Sequence, residues 1–168
     1  PELCDGLALL YPGLKARVRP RWYQRGLLNL GQALGAGRKL VKLPLDDPRL
    51  FTAEDRWQDF IRQDPLALHE ATISFLRASV QLDAQVDAIA SAIVCPTLVM
   101  LAGRDQIIDN AATLRYLNRL GTSHLLLRQY PEAQHTLEFE PNRAEIFSDL
   151  IDWMKSVPCR GDQKLSAP

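Results

Sequence analysis

The stretch Ile93-Val-Cys-Pro-Thr-Leu-Val-Met-Leu-Ala-Gly-Arg-Asp-Gln-Ile-Ile-Asp109 decides the fold. Its centre, Thr97 to Ala102, is apolar without alternation, opened by Pro96 and closed by Gly103. Continuous hydrophobicity between turn residues marks a strand covered on both faces, as in a parallel sheet. Two other runs share that character: Asp5 to Tyr11, ended by Pro12-Gly13, and His124 to Tyr130, ended by Pro131. Between the second and third runs, Asn110 to Leu120 places Ala112, Leu114, Tyr116, Leu117 and Leu120 at helical spacing, with Gly121 as a fitting C′ residue. Strand, helix and strand at this length make one βαβ crossover. Downstream, Pro141 begins an amphipathic helix whose expected buried stripe is Ile146, Phe147, Leu150, Ile151 and Met154. It should stop near Pro158, leaving Cys159 to Pro168 as a polar, mobile tail.

Residues 16–82 interrupt this rhythm with helical patterns: Arg21 to Leu34, Thr52 to Gln63 and Pro65 to Gln81. Thr52 and Asp55 form a candidate capping box, and Pro65 suits a first helical position. Gly35 to Leu50 reads as loop with one extended stretch around Lys39 to Leu43. The expected fold class is therefore α/β: about three parallel strands with flanking helices, and a mainly helical lid inserted between strands. The parts are a first core strand in 1–15, the lid in 16–82, an α/β core in 83–158 and a tail in 159–168.

The 168 residues suit one domain, and 46% hydrophobic residues supply a core. Twenty basic residues balance twenty acidic ones, which argues against nucleic acid or an anionic membrane as partner. No apolar run approaches the roughly 20 residues of a membrane span. Glu2 and Asp5 stand where a secretory signal would be basic. Cys4, Cys95 and Cys159 are odd in number and widely spaced, which argues against a disulfide framework and against a zinc site and suits unremarkable thiols of a cytoplasmic protein.

Asp105 directly follows the central strand, at the carboxyl edge where open α/β sheets build their sites. His135 lies in Tyr130-Pro-Glu-Ala-Gln-His-Thr-Leu-Glu138, the loop after the next strand. Adjacent parallel strands lie about 5 Å apart, so loops leaving one edge bring their side chains together. A carboxylate there can hold an imidazole by its Nδ1–H and stabilise the imidazolium. Taken singly, each residue has a plainer reading: Asp105 as a turn residue or cap, His135 as surface or packing. Jointly, acid before histidine fits the chain order Ser…Asp…His.

On these residues the chain resembles the monoacylglycerol lipase and lysophospholipase branch of the α/β-hydrolases. Ile93 to Asp109 looks like its strand-and-acid block, and Tyr130 to Glu140 like its histidine block. Asp5 to Gly13 is similar to the strand that follows the nucleophile region and precedes the lid. The resemblance implies Asp105 as triad acid, His135 as general base and Glu138 as a brace for the histidine loop. It implies a lipid-like ester substrate and no cofactor.

The family's nucleophile motif, G-x-S-x-G, has no counterpart among Ser74, Ser79, Ser91, Ser123, Ser148, Ser156 and Ser166. Gly121-Thr-Ser123-His124 imitates it partly, but enters a strand instead of leaving one. The expectation is a C-terminal portion, inert alone, whose first strand pairs with the missing N-terminal half or self-associates through residues 5–11. Other α/β-hydrolase chemistry, on amides, epoxides or haloalkanes, stays open, as does a non-catalytic interaction module. Trp22, Tyr23, Trp57, Phe60 and Phe75 are candidates for an acyl-chain groove or for core. His69 and His124 read as structural, and Arg160-Gly161-Asp162 as a chance tripeptide.

Overall fold

The computed structural model describes residues 4–17 and 22–158. Strand β1 is Leu7–Leu10, β4 is Thr97–Ala102 and β5 is Leu125–Tyr130. They form a parallel sheet in the order β1-β4-β5, with Leu7 opposite Thr97 and Thr97 opposite Leu125. All six residues of β4 are buried. Alternate side chains explain why. Leu98, Met100 and Ala102 join Tyr130, Ala133, Leu137 and Ile146 on one face. Val99 and Leu101 join Ala90, Tyr116 and Leu117 on the other. A strand with an apolar layer on each side needs no polar alternation.

Helix α4, Asn110–Leu117, makes the crossover from β4 to β5. Asp109 is its N-cap, the carboxylate accepting from Ala112 N at 2.9 Å. The helix ends at Leu117 with Asn118 as its C-cap, so Gly121 is not its C′ residue. Arg119 N donates to Tyr116 O and Leu120 N to Leu117 O, a tightened last turn that satisfies the end carbonyls without a left-handed glycine. Gly121 serves a different need, since a Cβ there would lie 2.2 Å from Ser91 O.

Helix α5, Arg143–Ser156, covers the first face of the sheet. Its buried line is Ile146, Leu150 and Trp153, whereas Phe147, Ile151 and Met154 are exposed. The sequence offers two adjacent apolar lines on this helix, and only one meets the sheet. The tail, with Cys159 and Arg160 to Asp162, lies outside the described residues.

The segment between β1 and β4 holds α1 (Trp22–Ala33), β2 (Leu40–Lys42), α2 (Asp55–Gln63), β3 (Glu70–Thr72) and α3 (Ile73–Ala88). β2 and β3 pair antiparallel, so the extended stretch near Lys39 to Leu43 has a partner. That partner corrects the expected helix from Pro65 to Gln81. Pro65 sits in a turn in which Asp64 accepts from Leu66 N, residues 70–72 are extended, and the helix starts at Ile73. Thr72 caps it through Phe75 N at 3.1 Å. A fixed proline φ serves a turn as readily as a first helical position, and here the ladder to β2 decides. The Thr52–Asp55 capping box also fails to form. Thr52 is fully buried and accepts from Glu54 N, while Glu54 is the N-cap without a side-chain bond. Among the described residues, no helix is long and apolar enough to cross a membrane.

Candidate active site

Strand pairing fixes where the chemistry-bearing loops emerge. Ala102 and Tyr130 are the last paired residues of β4 and β5, and both strands run the same way. The following loops are laced together: Gly103 N donates to Tyr130 O at 2.8 Å, and Arg104 N to Ala133 O at 2.9 Å. Gly103 is required for that lacing, because a Cβ would lie 2.4 Å from Pro131 O. Backbone on backbone leaves no room to yield.

Asp105 and His135 meet at this rim. Asp105 Oδ2 lies 2.8 Å from His135 Nδ1. Asp105 Oδ1 accepts from Ile107 N and Ile108 N, each at 2.8 Å. The residue is 2% exposed, so both carboxylate oxygens are spoken for inside the protein. Burial pushes its carboxyl upward, but the imidazole and the two amides outweigh that and hold it below the usual range. The anionic form is thus fixed in place. The loop after β1 supports it from the side: Asp109 N donates to Lys15 O, Arg17 N to Ile107 O, and Arg17 Nε to Asp105 O.

His135 is half-buried, with its Nδ1 on Asp105; among the described residues no bond engages its Nε2. Two rings flank the imidazole edge-on. The centroid of Tyr11 is 4.8 Å away at 65°, and that of Phe51 is 6.0 Å away at 72°. Thr136 N donates to Phe51 O at 2.9 Å, tying the histidine loop to the segment before α2. Sequence reasoning missed both aromatics. Tyr11 has a left-handed φ of 34°, uncommon for a bulky residue, just after its amide bonds Met100 O. No one-dimensional pattern announces such a turn.

Glu138 takes part in the same assembly. Its Oε1 accepts from the Tyr11 hydroxyl at 2.7 Å, while its buried Oε2 has no hydrogen-bond partner among the described residues. Burial, and then the Glu138 carboxylate, push ionisation of the Tyr11 hydroxyl well above its ordinary range, so Tyr11 remains a donor. Glu140 accepts from Gln134 N at 2.8 Å, closing the loop around His135. Trp57 stacks on Phe139 at 4.4 Å, and Phe60 meets both rings edge-on. These two aromatics of α2 therefore touch the histidine loop, although Phe60, like Tyr23 and Phe75, keeps much of its surface exposed. The side chain of Trp22 lies outside the described residues. His69 is exposed beside Asp46, and His124 precedes β5 at the far rim.

A parallel sheet with an acid loop and a histidine loop at its carboxyl edge defines the class as an α/β-hydrolase. Solved structures agree on the fold. A monoacylglycerol lipase from Paleococcus ferrophilus is similar over 94% of this chain and 61% of its own, at TM-score 0.83 and 18% identity. A soluble variant of the Saccharomyces cerevisiae monoglyceride lipase, bound to a substrate analogue, matches 92% of this chain and 54% of its own, at TM-score 0.75 and 16% identity. A structure of the metagenome-derived lipolytic enzymes LipS and LipT matches 90% and 55%, at TM-score 0.65 and 13% identity. The chain thus spans less than two thirds of the length of each. The family profile described as serine aminopeptidase, S33, matches residues 1–142, and the chain belongs to that family.

Proposed function

We propose that this chain supplies the acid and the base of a serine hydrolase that cleaves carboxylic esters of the monoacylglycerol or lysophospholipid type. One observation carries the reading: Asp105 Oδ2 stands 2.8 Å from His135 Nδ1, with the other carboxylate oxygen on two backbone amides. That arrangement sets the imidazole tautomer so that Nε2 is the basic nitrogen. A serine hydroxyl presented to Nε2 would lose its proton to His135 as its oxygen attacked the acyl carbonyl. His135 would then return the proton to the leaving alcohol, while Asp105 stabilised the imidazolium. The lipase names of the structural neighbours support a lipid-like ester.

Because the sequence holds no G-x-S-x-G, these 168 residues alone should be inert. We take residues 16–82 as the lid over the acyl group. Among the described residues β1 pairs only with β4, and its other edge would accept a strand from an N-terminal half or from a second copy. A stable monomer at high concentration by size-exclusion chromatography counts against self-association.

The test is Asp105→Asn in the enzyme that contains the serine. Turnover of a p-nitrophenyl acyl ester should fall about 10⁴-fold, with near-UV circular dichroism unchanged. Activity near that of the unaltered enzyme would sink the acid assignment. The family's description favours a second reading, aminopeptidase chemistry, through the same pair. Faster cleavage of an aminoacyl p-nitroanilide than of the ester would select it.

A further inference from the structure

We propose that Cys4 and Cys95 form a redox site, which hydrogen peroxide converts to an intramolecular disulfide joining the starts of β1 and β4. The placement follows from the sheet. Leu7 lies opposite Thr97, and Leu7 N donates to Pro96 O at 2.9 Å, so the residues leading into the two strands run side by side. The two sulfurs are 3.7 Å apart. A disulfide needs about 2.05 Å, so side-chain rotation has to close only some 1.7 Å. Thr97 Oγ1 donates to Cys95 O at 2.9 Å and steadies the second cysteine's backbone.

The two thiols differ in a way that orders the steps. Cys4 is exposed and Cys95 half-buried. Burial, and then the neighbouring Cys4, push the Cys95 thiol upward, and the exposed Cys4 is the one that peroxide reaches first. The Cys4 thiolate attacks one peroxide oxygen, the O–O bond breaks, and hydroxide leaves as water with the thiol proton. Cys95 sulfur then attacks Cys4 sulfur, the S–O bond breaks, and hydroxide leaves with the second thiol proton as another water. Two thiols lose two electrons and one peroxide gains them.

The bond would close residues 4–95 into a loop containing β1, α1, α2 and α3. It sits at the rim from which the strands start, opposite Asp105 and His135. It would therefore staple the sheet without entering the candidate site. The inference is independent of the proposed hydrolase chemistry.

The experiment uses the 168-residue chain with Cys159→Ser, dilute, before and after hydrogen peroxide. Alkylation under denaturing conditions and peptide mapping should find Cys4 and Cys95 joined, with loss of two hydrogens. The oxidised protein should melt about 5–10 °C above the dithiothreitol-treated form, and the further Cys95→Ser variant should show no rise. Cys95 still fully alkylated after peroxide, or cross-links only between chains, would overturn the proposal.

Discussion

Strand β4 and helix α1 are both rich in leucine and its relatives, yet the molecule holds them in opposite ways. Every residue of β4 is buried, with α5 and the histidine loop on one side and α4 on the other. On α1, Tyr23, Leu27 and Leu30 are exposed, and Leu34 just beyond it is 76% exposed. Its seam is with α3, where Gly31 approaches Ile73. A strand inside two layers shares its burial with the whole sheet, whereas a helix on one seam can open by itself. The candidate site stands on the first kind of support.

The largest effect expected from that contrast is on Leu98, which has no exposed surface. Leu98→Ala should cost about 3–5 kcal/mol in urea unfolding, since it removes buried methyls and leaves a cavity. Leu27→Ala, at a position 62% exposed, should stay within about 0.5 kcal/mol. Equal losses at the two positions would mean that α1 is as tightly packed as β4.

Gly103→Ala comes next. Its Cβ would collide with Pro131 O, so the acid and histidine loops must part. A loss of about 2–3 kcal/mol is expected, together with a weaker Asp105–His135 hydrogen bond. The downfield Nδ1 proton resonance of His135 by NMR is the measurement. That resonance unmoved would show that the loops adapt elsewhere.

Asp105 should also leave a mark on acid stability. Its carboxyl lies below the usual range in the folded chain, so its contribution is full above the unfolded value of about 3.9. It is lost as pH falls through the lower folded value. Asp105→Asn should therefore lower the melting temperature at neutral pH and flatten the acid limb, with the two proteins converging in strong acid. Parallel curves down to the lowest pH would contradict the depressed carboxyl. Tyr11→Phe should cost about 1–2 kcal/mol, because it leaves Glu138 Oε1 without its donor.

The same contrast explains what the sequence disclosed. Thr97 to Ala102 was legible because burial on both faces leaves Leu98 to Ala102 without a polar residue, and its punctuation by Pro96 and Gly103 is unambiguous. Asp105 and His135 were legible because parallel strands deliver successive loops to one rim. Tyr11 and Phe51 were not, since their contact with the imidazole depends on chain segments far apart in sequence. The buried line of α5 was half legible. Ile146 and Leu150 face the sheet as expected, but Trp153 completes the line, and Phe147, Ile151 and Met154 do not belong to it. Pro65 misled because its rigid φ serves two local structures, and a long-range ladder chooses between them.

Gly26 gives the comparison its smallest and most selective test. It lies inside α1, and a Cβ there would meet nothing within 4 Å. Glycine in a helix interior costs roughly 0.5–1 kcal/mol relative to alanine, through the backbone freedom it surrenders. Gly26→Ala should therefore slow amide exchange along α1. If α1 opens locally, the amides of β4 should exchange at their former rate, because their protection is set by opening of the sheet. If β4 slows by the same factor, α1 and the sheet unfold as one unit, and the distinction between the two regions fails.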